Sequence, residues 1–201
     1  MLDSSVRKLI DPILNRVAHK LSRCGLNANT LTVLGFGFSV LGFISIALQR
    51  YDLTILFIIL SRAMDGLDGP LARQTSATDL GGYLDIVFDF IFYSGTVFFF
   101  AVGQPDYALP AAFLIFSFMG AGSSFLAYAI LAAKHGINHD KQGKKSFFYL
   151  QGITEGTETI LMLIAICLFP TYFAQIAYIF GGLCWLTTVG RVQQAVKDFK
   201  R

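Results

Sequence analysis

The chain is short of charge and of cysteine, and each shortage excludes a class of protein. Of its 201 residues, 14% are Asp, Glu, Lys or Arg against 54% hydrophobic, and mean hydropathy is +0.59. A soluble domain of this length carries more charge than that, so the composition is that of a membrane protein. Cys24, Cys167 and Cys184 are odd in number and share no metal-type spacing, which leaves structural thiols and no disulfide framework. The first twenty-odd residues are charged and amphipathic, so no cleavable signal peptide is expected. No internal repeat or low-complexity tract is visible, and one membrane domain is expected over residues 1–201.

What is present in quantity is apolar sequence in span-sized blocks. A span takes roughly 20 apolar residues. Candidates run from about Leu31 to Leu48, Leu53 to Met64, Leu80 to Val102, Tyr107 to Ala133, Gly152 to Phe169 and Tyr172 to Val189. The second is short and must continue into the polar sequence after it. Before them, Val6, Leu9, Ile10, Ile13, Leu14, Val17 and Leu21 recur at helical spacing opposite Arg7, Lys8, Asn15, Arg16, Lys20 and Arg23, as in a helix lying on a membrane surface. In it, Asp11 is expected to cap the main helix and Pro12 to take its first turn. The expected architecture is therefore an all-α integral membrane protein: an amphipathic juxtamembrane segment (1–28), a core of six transmembrane helices (29–190) and a cytoplasmic tail (191–201).

Basic residues set the orientation. Arg7, Lys8, Arg16, Lys20 and Arg23 precede the first span, Arg73 follows the second, Lys134, Lys141, Lys144 and Lys145 follow the fourth, and Arg191, Lys197, Lys200 and Arg201 follow the sixth. Arg62 lies within the second span, which leaves only Arg50 on the opposite side. Both termini are then cytoplasmic. The net charge of +3 is a topology signal with attraction to anionic headgroups second, and nucleic acid is not expected as a partner.

Against this apolar background stand four aspartates, Asp65 and Asp68 in MDGLDGPLAR and Asp85 and Asp89 in GGYLDIVFD. Carboxylates among apolar helices are costly to keep charged, and several that converge are most simply explained by a shared metal ion. Asp65, Asp68 and Ala72 fall on one helix face, and Asp85 and Asp89, four apart, share a face of the next span. A polar turn from Gln74 to Asp79 makes the two helices antiparallel neighbours, with Asp79 expected to cap the second. Oxygen ligands of this kind suit Mg²⁺ or Mn²⁺, which usually also bind substrate phosphate. Gly69 and Gly81 remove side chains where a phosphate must approach, Ala72 keeps that face shallow, and Arg73 can pair with phosphate bidentately. The expectation is a cytoplasm-facing diphosphate site at the membrane boundary. Arg62 either neutralises an aspartate or contacts substrate. Asn29 is either an N-cap, with Thr32 at the third helical position, or a ligand-binding residue.

Asp65-x-x-Asp68-Gly69-x-x-Ala72-Arg73, then Gly81-x-x-x-Asp85-x-x-x-Asp89, resembles in every defined position the signature of the CDP-alcohol phosphotransferases, the phosphatidyltransferases of phospholipid synthesis. The resemblance implies that Asp65, Asp68 and Asp85 bind a metal pair with help from Asp89. It also implies that Gly69, Ala72, Arg73 and Gly81 contact the cytidine diphosphate part of the donor, and that Asp89 is the general base for an acceptor hydroxyl. Implied with these are a CDP-linked lipid donor, release of CMP, a homodimer, and a place in a bacterial inner membrane. Ala28-Asn29-x-x-Thr32 stands where many members have Pro-Asn-x-x-Thr, which carries Asn29 and Thr32 over as donor-binding residues. The Arg-Glu pattern that glycerol-phosphate-using relatives often have after the fourth span is absent, which argues against phosphatidylglycerophosphate synthesis. Of two other readings of the aspartates, an intramembrane prenyltransferase should be longer, with more spans and two well-separated Asp motifs, and a divalent-cation carrier does not call for Gly69, Ala72, Arg73 and Gly81 in this order.

The acceptor is less legible. Glu155 and Glu158 start the fifth span either as carboxylates complementing a helix dipole or as contacts for a cationic or polyhydroxyl acceptor. Lys134, Lys141, Lys144, Lys145 and Arg191 would instead gather a phosphate-bearing one. His135 and His139 have a metal-type spacing, but Gly136 and Asn138 disfavour the helix it needs, so a solvated basic loop is expected.

Overall fold

The computed structural model describes residues 3–136 and 152–200, and every regular element in them is helical. In chain order they are α1 (Asp3–Arg23), α2 (Ala28–Ala47), α3 (Tyr51–Gln74), α4 (Asp79–Gly103), α5 (Ala108–Lys134), α6 (Gly156–Leu168) and α7 (Phe173–Phe199). Single 3₁₀ turns at Pro105–Tyr107 and Pro170–Tyr172 lead into α5 and α7. Proline suits a first helical turn, where its missing N–H has no partner to lose.

Four stretches are long and apolar enough to cross a membrane: Ala28–Ala47, Asp79–Gly103, Pro105–Lys134 and Pro170–Phe199. α3 has the length, at 24 residues, but carries Asp52, Arg62, Asp65, Asp68 and Arg73. As expected, it runs unbroken through the aspartate motif. α6 is 13 residues and starts at Gly156, four later than the sequence suggested. At about 1.5 Å per residue it is some 20 Å long, less than a bilayer core. α7 continues helically past Arg191 to Phe199.

α1 also differs from expectation. Asp11 is not a cap, because the helix runs through Pro12 from Asp3 to Arg23. Proline removes one ladder hydrogen bond, and tertiary contact beyond it outweighs that loss. Ala18 is fully buried with Ala28, Leu31, Leu67 and Leu71, and Leu14, Leu21 and Leu26 pack around them. The Gln74 side-chain amide donates to the Asn15 carbonyl at 3.3 Å. α1 is thus docked on the end of α3 that carries the aspartates, while Ile10, Ile13 and Val17 remain exposed on another face.

The larger core joins Phe92, Phe100, Leu114, Leu163, Ile166 and Phe173 from α4 to α7. Phe100 stacks on Phe173 at 4.0 Å between ring centres. This end is closed further by Gln49, whose amide donates to the Gly103 carbonyl at 2.8 Å, by a Gln104–Tyr51 hydrogen bond, and by the Tyr107 hydroxyl on the Thr171 carbonyl. The aspartates lie at the other end, where α2, α4 and α6 begin and α3, α5 and α7 finish.

Candidate active site

Residues 75–78 turn the chain between α3 and α4, so the last turns of one helix face the first turns of the other. One carboxylate oxygen each from Asp65, Asp68 and Asp85 lies within 4.8 Å of the other two. An Mg²⁺ ion holds oxygens at about 2.1 Å, which puts any two ligands no more than about 4.2 Å apart. Small side-chain rotations close the difference, and an all-carboxylate set is the donor chemistry of a hard divalent cation. These three residues therefore fit such a metal.

Asp68 is the most enclosed of them, 8% exposed, and is held from α2. The Thr32 hydroxyl lies 2.6 Å from Asp68 Oδ2 and 3.2 Å from the Ala28 carbonyl. Its single proton goes to the nearer, charged acceptor. Thr32 thus orients a carboxylate of the metal set.

Asn29 is not the cap of α2. Asn27 is, its Oδ1 accepting from the Thr30 N–H at 2.8 Å and the Thr30 hydroxyl at 2.9 Å. Asn29, inside the helix, points instead across to the start of α4. There Thr78, not Asp79, is the cap, its hydroxyl accepting the Gly81 N–H at 3.0 Å. The Asn29 amide lies 3.4–3.5 Å from that hydroxyl. A Cβ on Gly81 would come within 2.6 Å of Asn29 Oδ1, so the absent side chain is what lets Asn29 lie there. At Gly69, a Cβ would meet only Arg73 Nη1, at 3.6 Å, and the face stays open. Arg73 is exposed, and Ala72 packs partly into the α1–α3 cluster.

Asp89 is not part of that cluster of three but is joined to it through a shared arginine. Its Oδ1 accepts from Arg62 Nη1 at 2.5 Å, and the Tyr93 hydroxyl lies 3.5 Å from Oδ2. The same Arg62 nitrogen is 3.4 Å from Asp65 Oδ2. Arg62 therefore pairs with both carboxylates. Neither Thr78 nor Tyr93 was singled out from sequence, although Tyr93 follows Asp89 at the same four-residue step by which Asp89 follows Asp85.

Beyond Tyr93, Glu155 and Glu158 form a capping box at the start of α6, each side chain serving the other's end of the turn. Both carboxylates thus serve the start of the helix. Gly156 sits beside Asp89's neighbour, since a Cβ there would be 3.5 Å from the Tyr93 hydroxyl. Just upstream, Thr187 Oγ1 accepts the Ile153 N–H at 3.1 Å, and a Cβ on Gly152 would lie 3.3 Å from Arg191 Nη2. Arg191 is buried, donates to the Ala121 carbonyl at 2.8 Å and stands over the Phe125 ring at 5.3 Å. It also borders a largely apolar cavity of about 430 Å³ between α5 and α7, whose rim includes Tyr128 and Lys200 and none of the aspartates. Lys134 is exposed at the end of α5. Lys141, Lys144, Lys145 and His139 lie outside the described residues, so the expected basic loop does too.

The sequence model of CDP-alcohol phosphatidyltransferase matches residues 26–190. The chain belongs to that family. It is accordingly a membrane transferase of phospholipid synthesis, and the prenyltransferase and cation-carrier readings fall away. Inner membrane protein YnjF of Escherichia coli strain K12 is 48% identical over 193 residues, 96% of this chain and 94% of the relative. The archaetidylinositol phosphate synthase of Pyrococcus horikoshii is 27% identical over 195 residues, 96% of each. Among solved structures, the phosphatidylinositol phosphate synthase PgsA1 of Mycobacterium tuberculosis, crystallised with CDP-DAG bound, superposes with a TM-score of 0.72. That match covers 92% of this chain and 94% of the other; at 17% identity it speaks for the fold.

Proposed function

We propose that this phosphatidyltransferase moves the phosphatidyl group of CDP-diacylglycerol to the hydroxyl of a phosphate-bearing polyol and releases CMP, at the cytoplasmic face of a bacterial inner membrane. The observation that carries the reading is the convergence of Asp65, Asp68 and Asp85 within 4.8 Å beside an open Gly69–Arg73 face, in a chain of this family. A nucleotide diphosphate laid along that face meets Arg73 and the Asn29–Thr78–Gly81 corner. A divalent ion, Mg²⁺ or Mn²⁺, held by Asp65, Asp68 and Asp85 would supply charge neutralisation at the diphosphate.

The chain's own groups do the rest. Asp89 accepts the proton of the acceptor hydroxyl as its oxygen forms a bond to the phosphatidyl phosphorus, while the bond from that phosphorus to the CMP oxygen breaks. The phosphate-bearing acceptor is favoured over a cationic one because Glu155 and Glu158 are committed to the helix start, whereas Arg191 lies beside the segment that reaches Tyr93. The products named for two similar proteins, archaetidylinositol phosphate and phosphatidylinositol phosphate, carry such a phosphate, whereas that of a third, a phosphatidylcholine synthase, carries a cation.

Cytoplasmic orientation rests on the basic residues at the aspartate end, against Arg50 at the other. In the same frame α3 and α6 complete a six-helix membrane core with the four longer apolar helices. α1 lies along the surface on its exposed Ile10, Ile13 and Val17. A homodimer follows from the family resemblance, and cross-linking in native membranes tests it. The activity test is purified protein with CDP-diacylglycerol, Mg²⁺ or Mn²⁺, and a panel of polyols with and without phosphate, read as CMP release and lipid product mass. Product from inositol 1-phosphate, and none from the free polyols, is expected. Absence of CMP with every acceptor would refute the reading.

A further inference from the structure

The group that organises the acceptor end of this site is a cation outside the aspartate motif. Arg62 sits three residues before Asp65, its side chain 13% exposed. Its guanidinium is held at both terminal nitrogens and on one face, while the buried Nε has no hydrogen-bond partner among the described residues. Nη1 reaches Asp89 Oδ1 at 2.5 Å and Asp65 Oδ2 at 3.4 Å. The flat face lies on the buried Phe92 ring, 4.2 Å from its centre. Nη2 donates to the Ser61 hydroxyl at 3.2 Å.

That last bond continues across to α2. The Ser39 hydroxyl lies 3.2 Å from the Gly35 carbonyl and 2.8 Å from the Ser61 hydroxyl. With Ser39 bonded to its own helix, Ser61 can give its proton to Ser39 and keep a lone pair for Arg62. The result is one chain from the α2 backbone through Ser39 and Ser61 to Arg62 and on to Asp89. A guanidinium held this way cannot rotate without breaking several contacts.

We propose that Arg62 is a positioning residue for the acceptor-activating carboxylate: it ties Asp89 to the Asp65 side of the acidic cluster, with one oxygen fixed on the guanidinium and the other turned toward Tyr93 and the start of α6. The inference rests on Asp89 being the base. A bystander ion pair would contribute only to folding. A positioning pair makes turnover at saturating metal depend on Arg62 through Asp89, whereas its 3.4 Å contact with Asp65 would act on the metal activation constant.

The test is a double-mutant cycle on the full-length protein in nanodiscs, with CDP-diacylglycerol and the best acceptor from the panel. Asp89→Asn is expected to cost about 10²–10⁴-fold in kcat, the usual contribution of a general base. Arg62→Met, which keeps length and apolar packing, should cost about 10²-fold in kcat with donor KM within about 3-fold, since one misplaced catalytic group costs that order. Arg62→Lys should recover part of the loss. On the Asp89→Asn background either Arg62 change should matter by less than about 3-fold, the signature of two residues acting as a unit.

If Arg62→Met fails to fold, Arg62→Lys carries the same cycle. Undiminished kcat in Arg62→Lys and in any folded Arg62→Met, with Asp89→Asn inactive, overturns this inference alone. So does an Arg62 effect that persists in full on the Asp89→Asn background. Undiminished turnover by Asp89→Asn overturns the base assignment and this inference with it.

Discussion

Replacing Thr32 by Val isolates one hydrogen bond at the metal set. The two side chains have nearly the same shape, so packing at a residue 7% exposed is preserved and the hydroxyl alone is lost. That hydroxyl is 2.6 Å from Asp68 Oδ2, a charge-assisted bond of about 1.5–3 kcal/mol. Its energy bears on the site in a definite direction. With the hydroxyl in place Asp68 is locked in the rotamer that brings it within 4.8 Å of Asp65 and Asp85. Without it the carboxylate must be ordered when the ion binds, and loss of such an outer contact costs about 10–100-fold in metal affinity. The activation constant for Mg²⁺ or Mn²⁺ in CMP release should rise by that factor, with kcat at saturating metal largely recovered. Thr32→Ser, which keeps the hydroxyl, should behave as wild type. A Thr32→Val protein whose metal activation curve is unshifted would refute the argument that Thr32 acts on the metal set.

Three further outcomes follow from the same geometry. Gly81→Ala should leave thermal stability nearly unchanged, because about 0.8–1 kcal/mol gained in helix propensity offsets the displaced, partly exposed Asn29 amide, yet donor KM should rise; the double change with Asn29→Ala should be no worse than Asn29→Ala alone. Arg191→Gln should raise KM for the phosphate-bearing acceptor about 10-fold or more while leaving the donor KM in place, and equal effects on both would remove Arg191 from the acceptor side. Ser45→Ala, whose 2.9 Å bond to Thr54 lies far along α2 from the aspartates, should lower stability by about 0.6–1.7 kcal/mol with unchanged kinetics.

The parts of this molecule legible from sequence are those written in local spacing. Asp65, Asp68, Asp85 and Asp89 announce themselves because charge is conspicuous in apolar sequence, and intervals of three and four on two adjoining helices leave one way for them to face each other. Caps were less legible. Asn27 and Asn29, or Thr78 and Asp79, are equally good cap formers one or two residues apart, and the choice is settled by which side chain a neighbouring helix needs. Pro12 misled for a similar reason: helix preference puts a start there, but the docking of Leu14, Ala18 and Leu21 onto α3 decides otherwise. That Arg62 neutralises an aspartate is one of two readings its position allows; that one partner is Asp89, 27 residues away, is a tertiary fact.

The least conspicuous signal was the most consequential one, a ladder of small hydroxyls between α2 and α3. Thr32 meets Asp68 at 2.6 Å, Ser39 meets Ser61 at 2.8 Å and Ser45 meets Thr54 at 2.9 Å. The partners descend by seven along α3 as the first two rungs climb by seven along α2, the repeat that keeps two helices in contact along one seam. Serine and threonine in an apolar helix carry little weight in a reading of hydropathy, because each can satisfy its hydroxyl on its own helix; Ser39 and Ser45 both do so. Their second bond is the one that crosses. Interhelical bonds of this kind average only about 0.6 kcal/mol, so the ladder adds little stability. Its effect is on register: one turn of slip along the seam would carry Thr32 away from Asp68 and Ser61 away from Ser39, and with them the supports of a metal-set carboxylate and of Arg62. The active site is thus positioned by residues whose energies are small and whose spacing is specific.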